Sequence, residues 1–256
     1  MILFLLAHND DEFFFAPFLR DGVMVGKAVR VCYITHGSLH GADSEVRRAE
    51  SREALGRLGV GPESILDLGR RLDVFDGTAA EQVDALWPAL CRHYEGFTID
   101  RIYAPAWEGG HADHDIAHLL AAHLRTRLEG RTELLEVALY NGYRMPKGLF
   151  RVMCYPPAEG EAPIRRPLSL SEALGYSRLM GCYPSQWKSF AGLAPGILYR
   201  FLWQRQALCR RVGMRDYGRR PHAGRLLYES RFHTPWEKVE RAVRVLERMT
   251  GKETIG

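Results

Sequence analysis

Cysteine is scarce in this sequence and is never paired at a metal-binding spacing. The 256 residues include five cysteines, an odd number spread along the chain, and no C-x-x-C occurs. The sequence therefore predicts neither a disulfide framework nor a cysteine-rich zinc site. Chains without disulfides are typical of reducing compartments, so a cytoplasmic location is the simplest interpretation.

Long apolar runs and glycine-rich phosphate loops are also absent. The first seven residues are apolar, but no basic residue accompanies them and polar residues begin at His8. This run is too short for the core of a signal peptide or for a membrane span, so we expect it to form a buried strand. Neither G-x-G-x-x-G nor a Walker-type G-x-x-x-x-G-K occurs, which argues against a dinucleotide or P-loop site.

What the chain does contain is a regular alternation of short apolar runs and helical patterns. With 46% hydrophobic and 26% charged residues it can form a substantial core. Strand-like runs cover 2–7, 29–35, 64–68, 101–104 and 134–140, and helical patterns cover about 11–24, 44–58, 78–94 and 114–128. Thr78, with Glu81 three residues later, is typical of a capping box. The order predicts an α/β fold with a mostly parallel sheet and helices on both faces.

The pattern changes after residue 144. A proline-containing, loop-rich stretch follows, and helical patterns return at 169–180 and 235–250. We predict an α/β catalytic core over 1–144 and a C-terminal extension over 145–256 that packs on the core within the same domain.

Two clusters of histidines and acids each follow a predicted strand. His8-Asn9-Asp10-Asp11-Glu12 follows the first strand, and His111-Ala112-Asp113-His114-Asp115 follows the strand at 101–104. Ligands bind parallel sheets at the carboxyl ends of the strands, so the clusters face each other if their strands are near neighbours. Imidazole and carboxylate ligands with one open position describe a catalytic zinc site.

Other interpretations of these clusters stay open at this stage. An acidic run after a strand is also common at a helix N-terminus, where it interacts favourably with the helix dipole. His111, His114 and His118 could each be solvated or core residues, and His114 with His118 forms an i, i+4 pair that could bind a metal by itself. The occurrence of both clusters at matching positions favours a metal site.

The same residues resemble the motifs of a known family, the PIG-L/LmbE-like zinc-dependent N-acetylglucosamine deacetylases. Ala7-His8-Asn9-Asp10-Asp11-Glu12 is similar to the family's A-H-P-D-D-E signature, and Gly109-Gly110-His111-Ala112-Asp113-His114-Asp115 is similar to its H-x-D-H motif in a G-G-H version. The resemblance covers roughly residues 1–140, where Thr35-His36-Gly37 matches the family's T-x-G and Arg47-Arg48-Ala49-Glu50 and Leu58-Gly59-Val60 are similar to its R-x-x-E helix and L-G-V turn. Further along the chain, Tyr183-Pro184-Ser185-Gln186 is a weaker similarity to its Y-x-S-Q element.

The resemblance implies a Rossmann-like fold and metal-dependent hydrolysis of an N-acetyl group on a sugar-containing substrate, such as a nucleotide- or lipid-linked N-acetylglucosamine conjugate. It implies Zn²⁺ as the cofactor, with Fe²⁺ as the alternative. By position, the metal ligands would be His8, Asp11 and His114.

The resemblance also implies roles for four further residues. Asp10 would be the general base that takes a proton from the zinc-bound water. His111 would be protonated and would stabilise the tetrahedral oxyanion, and Asp113 would orient an imidazole. Arg47 would contact the sugar.

Two positions depart from the family pattern. Asn9 replaces the usual proline of the first motif, and Gly109 stands where some relatives have a tyrosine that assists the substrate. Two alternative functions therefore stay open. One is a zinc amidase acting on a thiol-sugar conjugate or a non-sugar N-acyl compound, and the other is a non-catalytic sugar-binding descendant.

The segment from Arg200 to Arg231 is strongly basic, with nine arginines against two acids. One interpretation is a surface for an anionic partner, including a lipid-linked sugar at a membrane, which would make the protein membrane-associated. The favoured interpretation is a solvated face whose arginine stems cover apolar surface. We expect no nucleic-acid partner, because no recognition motif accompanies the arginines.

Overall fold

The computed structural model describes residues 1–38, 44–128, 132–156 and 162–251. Within these ranges, a seven-stranded sheet has the order β3-β2-β1-β4-β5-β9-β8. Its strands are β1 (Ile2–Leu6), β2 (Val29–Tyr33), β3 (Ile65–Asp67), β4 (Arg101–Pro105), β5 (Glu133–Val137), β8 (Ile164–Pro167) and β9 (Gln206–Arg211). A separate hairpin pairs β6 (Tyr140–Asn141) with β7 (Arg151–Val152). Strands β1 to β5 pair in parallel, and β9 alone runs in the opposite direction, pairing antiparallel with both β5 and β8, so the predicted mostly parallel sheet is confirmed.

Helices cover both faces of this sheet, as the alternating pattern predicted. They are α1 (Glu12–Met24), α2 (Ser44–Leu58), α3 (Leu68–Arg71), α4 (Val83–Tyr94), α5 (Ala112–Arg127), α6 (Leu170–Arg178), α7 (Trp187–Leu198), α8 (Leu227–Arg231) and α9 (Trp236–Thr250). Strand β1 shows why both faces are needed: Leu3 and Leu5 join one core, and Phe4 and Leu6 join the other. A central strand that is buried on both faces has a continuous run of apolar residues in its sequence.

The capping box expected at Thr78 is wrong. The Thr78 hydroxyl donates to the carbonyl of Phe75, and no side-chain cap forms. A short 3₁₀ turn at Ala79–Glu81 precedes α4 instead. The Ser and Thr hydroxyls of such segments can bond to nearby backbone carbonyls as readily as they cap a helix.

The C-terminal extension completes both the sheet and one helical layer. Strand β9 pairs with β5, with Leu135 opposite Arg211 and Glu136 opposite Arg210. Helix α9 packs its apolar stripe against α4 and α5. None of the described helices combines the length and apolarity that crossing a bilayer requires.

The strand order brings the two polar clusters together. Strand β1 lies between β2 and β4 and is parallel to both, with Ile2 opposite Arg101 and Phe4 opposite Tyr103. Here the strand order changes direction, and ligands of open α/β sheets bind at such switch points, outside the carboxyl ends of the strands. The residues after Leu6 and those after Pro105 therefore share one edge.

A buried ionic network fixes β9 and the loop after it to the core. The fully buried carboxylate of Glu136 accepts from Arg210 Nε at 2.6 Å and from Arg215 at 3.0 Å. His118 lies beside it, and its Nδ1 donates to the carbonyl of Pro105 at 2.8 Å while its Nε2 accepts from the Tyr217 hydroxyl at 3.0 Å. This pattern requires a neutral imidazole.

This network predicts a specific loss of stability in mild acid. Burial lowers the pKa of His118 to about 4, with Glu136 opposing the shift and Arg215 adding to it. Between pH 6.5 and 4 the unfolded chain therefore binds a proton at this residue that the folded chain does not. As the pH falls through this window, this residue alone should lower the free energy of unfolding by about 1.4 kcal/mol per pH unit.

Denaturant unfolding of the wild type and of His118→Gln at pH 6.5, 6.0, 5.5 and 5.0 would measure this contribution. The glutamine variant should have the shallower dependence, because it cannot be protonated. Equal slopes in the two proteins would show that His118 does not stay neutral in the fold.

Candidate metal centre

Asp11 is fixed where β1 passes into α1. Its Oδ2 accepts from the backbone N–H groups of Ala7 at 3.0 Å and of His8 at 2.9 Å. Its Oδ1 is left to face Nε2 of His114, 3.0 Å away. Burial opposes ionisation, but interactions with His114 and His8 hold the pKa of Asp11 well below its usual range. The carboxylate is thus charged and aimed at the second cluster.

His8 is oriented from its far side by Asp113. Its Nδ1 lies 3.2 Å from Nε2 of His114, and its Nε2 lies 3.0 Å from Oδ2 of Asp113. The backbone N–H groups of Gly77 and Ala79 also donate to Asp113, at 2.5 and 3.2 Å. Metal-binding histidines characteristically donate their other ring N–H to a carboxylate. The imidazole that Asp113 orients is therefore His8.

The donor atoms of His8, Asp11 and His114 fit a single divalent metal. All three side chains are buried; Nε2 of His114 lies 3.2 Å from Nδ1 of His8 and 3.0 Å from Oδ1 of Asp11, and Nδ1 of His8 lies 3.7 Å from the other Asp11 oxygen, Oδ2. Ligand atoms about 2.1 Å from a tetrahedral zinc lie about 3.4 Å from one another. His8, His111 and Asp113 form a second group within similar reach, but there both carboxylate oxygens of Asp113 accept from backbone amides, whereas in Asp11 only Oδ2 does.

Asp10 lines the same cavity without belonging to this group of donors. Its backbone has a φ of 117°, a strained value for a residue other than glycine, of the kind that clusters at functional sites. Its amide donates to Glu12, and its Oδ2 accepts from Arg47 at 3.2 Å. Burial raises the pKa of Asp10 to about 7, with Arg47 acting against the rise and Asp11 adding to it.

His111 caps helix α5 and stands at the cavity in its neutral form. Its Nδ1 accepts from the backbone N–H of Asp113 at 3.2 Å, so the ring proton is on Nε2. Burial, together with the charge of His8, lowers the pKa of His111 to about 3. This environment differs from the protonated imidazole that the family resemblance implied, although a neutral Nε2–H remains a hydrogen-bond donor.

Arg47 lies at the cavity but is bonded to the protein. Its guanidinium donates to Asp76 at 2.7 Å, to the Asn9 carbonyl at 2.7 Å and to Asp10 at 3.2 Å. Its Nε has no partner among the described residues. The observed contacts hold the first motif in place, whereas a contact with sugar stays a prediction.

Asp76 is a residue that sequence reasoning missed. It accepts from the Thr35 hydroxyl and the Gly37 amide as well as from Arg47, and it lines the cavity. An acid directly before Gly77, in the loop between α3 and the 3₁₀ turn at Ala79–Glu81, was the available signal. It lies at the same edge of the sheet as the two clusters.

Asn9 and the Thr35-His36-Gly37 segment are packed against each other. A side chain at Gly37, where φ is 81°, would lie 2.4 Å from Oδ1 of Asn9. The Thr35 hydroxyl donates to the Ala7 carbonyl at 2.8 Å. The first motif therefore keeps a fixed loop with asparagine in place of proline.

The remaining motif residues connect the core to the C-terminal extension. Buried Glu12 accepts from the hydroxyls of Tyr33 at 2.8 Å and Tyr183 at 2.9 Å. Glu50 on α2 accepts from the amide and the hydroxyl of Ser185. The glutamate of the R-x-x-E similarity and the serine of the Y-x-S-Q similarity are therefore hydrogen-bonded to each other.

Gly109 leaves no room for the tyrosine found in some relatives. A side chain there would lie 2.7 Å from Leu226, at a φ of 69°. Another phenol is present in the cavity, because Tyr140 lies along its wall with its ring 5.4 Å from that of His114. Sequence reasoning missed Tyr140, since it follows a strand with no other polar signal.

The alternative pair of His114 and His118 does not form a metal site. His118 faces Pro105, Tyr217 and Glu136 rather than the cavity. Most of the arginines between 200 and 231 also bind partners within the chain, and Arg200 and Arg210 are buried, unlike the solvated face that the sequence favoured. These partners are acidic side chains for Arg210, Arg211, Arg215, Arg219 and Arg220, and backbone carbonyls for Arg200 and Arg225.

Comparison with known proteins finds one family profile that matches the N-terminal part of this chain. Residues 3–124 match the profile described as "PIG-L: GlcNAc-PI de-N-acetylase", in agreement with the family predicted from the sequence. A search of curated protein sequences found no significant match.

Several solved structures share the fold. The zinc-inhibited form of a teicoplanin deacetylase has 14% identity and a TM-score of 0.61, covering 84% of this chain and 100% of that one. An N,N'-diacetylchitobiose deacetylase from Pyrococcus horikoshii has 15% identity and a TM-score of 0.56, covering 82% and 83%. A conserved protein from Thermus thermophilus has 18% identity and a TM-score of 0.54, covering 84% and 96%.

The contact between His8 and Asp113 predicts that Asp113→Asn weakens metal binding. The amide lacks the charge that holds the His8 ring, and loss of such a contact typically costs 10–100-fold in metal affinity. Competition with a chromogenic chelator would measure this. Asp84→Asn, at an exposed position of α4, is the matched control and should bind metal as the wild type does. Equal affinities in Asp113→Asn and wild type would contradict the assignment.

Proposed function

We propose that this chain, whose residues 3–124 form a PIG-L family domain, is a metal-dependent amide hydrolase that removes the N-acetyl group from a sugar-containing substrate. One observation carries the proposal. The facing atoms of His8, Asp11 and His114 fit one ion, and Asp10, which is not one of these ligands, borders the same cavity.

The metal ligands and the catalytic groups have separate roles in this proposal. His8, Asp11 and His114 would hold Zn²⁺, or Fe²⁺ as the alternative. A bound metal of this type polarises a carbonyl oxygen and lowers the pKa of water to about 7. That one neighbour was solved in a zinc-inhibited form is a reason to test both ions.

Asp10 is the general base in this proposal. In its ionised form it takes a proton from the attacking water, and the proton is later delivered to the leaving amine. Arg47 positions it, because the guanidinium reaches both its side chain and the adjacent Asn9 carbonyl. The strained backbone of Asp10 is typical of a functional site. A carboxylate that borders the cavity without being a metal ligand is needed for hydrolysis rather than for binding alone, so Asp10 favours an enzyme.

His111 stabilises the developing oxyanion. Its Nδ1 is occupied by the Asp113 amide, so its Nε2–H is the group available to the amide oxygen as negative charge builds up there. Preorganised donors of this kind are among the largest contributions to acyl-transfer catalysis. The reaction converts water and the N-acetyl amide into acetate and a free amine, and Asp10 and His111 are not consumed.

Release of free amine from a panel of N-acetylated sugars, nucleotide sugars and sugar lipids tests the proposed activity. Hydrolysis of at least one member should stop with a chelator and return on adding zinc or, under anaerobic conditions, ferrous iron. The absence of amine release across the panel with either metal would contradict the proposal, as would activity that the chelator leaves untouched.

Asp10→Ala and His114→Ala should fail for different reasons. Without its base, the Asp10 variant should lose about 10²–10⁴-fold in turnover while keeping its metal. The His114 variant should lose the metal itself. Turnover and metal content measured on the same preparations separate the two effects.

Asp84→Ala serves as the control, since it removes an exposed carboxylate far from the site and should match the wild type in both measurements. Equal loss of metal from the Asp10 and His114 variants would contradict the proposed division of roles.

A further inference from the structure

The cavity at the candidate metal centre has two chemically different halves. It has a volume of about 310 Å³. One half is polar and is built by residues between His8 and His114. The other, which we call the apolar wall, consists of Phe14, Tyr140, Phe150, Phe190, Leu193, Leu227 and Phe232.

The side chains of the apolar wall are held in place by packing against the core beneath them. Phe190 and Leu193 project from α7 and are 6% and 9% exposed, and Leu227 at the start of α8 is 2% exposed. Phe190 stacks on buried Tyr183, with ring centroids 5.1 Å apart. Because these side chains are fixed by packing, the wall keeps its shape without a ligand.

The rim of this half is also aromatic. Phe232 is 41% exposed beside the cavity, and its ring lies 4.7 Å from that of His111. The Arg231 guanidinium lies over the Phe150 ring at 5.4 Å. A group extending from the catalytic residues toward solvent would pass along these rings.

Hydrogen-bonding groups are sparse along this half. Outside the polar half, the polar groups that line the cavity among the described residues are the hydroxyl of Tyr140 and the side chains of Gln186, Ser189 and Arg231. Burying a hydroxyl without a hydrogen-bond partner is unfavourable, so a second sugar ring with several hydroxyls would be poorly accommodated. An apolar group would lose nothing there and would gain from burial.

This wall belongs to the part of the chain that the family match does not cover. All of its members except Phe14 lie beyond residue 124, where the match ends. The polar half, by contrast, comes entirely from matched residues. Recognition by the wall is therefore a property of this chain's own extension.

We propose that the substrate carries an apolar group joined to its N-acylated sugar, and that the apolar wall is the subsite that binds it. This inference rests on the proposed function. The apolar group could be an aglycone on the sugar or a longer N-acyl chain, since both would start at the catalytic residues and extend over the same surface.

Two substrate series distinguish these sources. One varies the aglycone of N-acetylglucosamine from methyl to butyl to hexyl, and the other varies the N-acyl group from acetyl to butanoyl to hexanoyl. Along one of them kcat/KM should rise about three- to fourfold per added methylene. A flat or falling kcat/KM along both series, with the methyl N-acetyl compound still hydrolysed, would overturn the subsite and leave the proposed function intact.

Substitutions in the wall should reduce this preference selectively. Phe232→Ser and Leu193→Ser should each lower the ratio of kcat/KM for the hexyl over the methyl member by roughly tenfold. Trp203→Ser is the matched control, because Trp203 is 79% exposed and does not line the cavity. It should keep the wild-type ratio, and an unchanged ratio in both wall variants would contradict the proposal.

Binding without turnover separates failure of the subsite from failure of the enzyme. Metal-free protein titrated calorimetrically with hexyl and methyl glucosides should bind the hexyl compound at least tenfold more tightly, and Phe232→Ser should remove this difference. This result would support the subsite even if no amide were hydrolysed. Equal affinity for the two glucosides, together with equal affinity for the matching N-hexanoyl and N-acetyl sugars, would overturn it.

Discussion

The parallel pairing of β1 with β4 is the constraint on which the site depends. It sets Ile2 opposite Arg101 and Phe4 opposite Tyr103, so both strands end at the same edge of the sheet. Each strand is then followed by a short loop and a helix, and polar side chains of the loop and of the first helical turn lie at this edge. Residues more than a hundred positions apart thereby face each other across a few ångströms. No other pair of strands in the described sheet would bring these two motifs together.

The strand ends alone would not orient the side chains, and a set of carboxylates completes the arrangement. Asp11 accepts hydrogen bonds from the backbone of its own loop, and Asp113 fixes the ring of His8. Asp76 accepts hydrogen bonds from Thr35, Gly37 and Arg47. Each carboxylate is buried and each has partners, as buried charges require. Catalysis and recognition are divided along the chain, because the polar half of the cavity comes from the matched domain and the apolar wall mostly from the extension.

The sequence predicts the core well because its signals are local. Continuous apolar runs such as Ile2–Leu6 indicate buried parallel strands, and the paired clusters indicate a shared edge. The order of the strands depends on pairing between distant segments, which no local pattern encodes. The sequence therefore suggested that the two clusters are adjacent, and the fold established it. Helix α7 escaped prediction because Pro195 and Gly196 interrupt it, although the glycine is needed where the helix meets Val152. Strand β9 was interpreted as part of a basic surface, since the partner of Arg210 is Glu136, far away in sequence.

The most direct test of the central claim is anomalous diffraction from crystals of the metal-loaded protein, recorded on both sides of the absorption edge of the bound metal. The account predicts one strong peak about 2.0–2.2 Å from Nδ1 of His8, Oδ1 of Asp11 and Nε2 of His114, with the Asp10 carboxylate outside bonding distance. A peak coordinated by His111 and Asp113 instead, or no peak at this edge of the sheet, would contradict it.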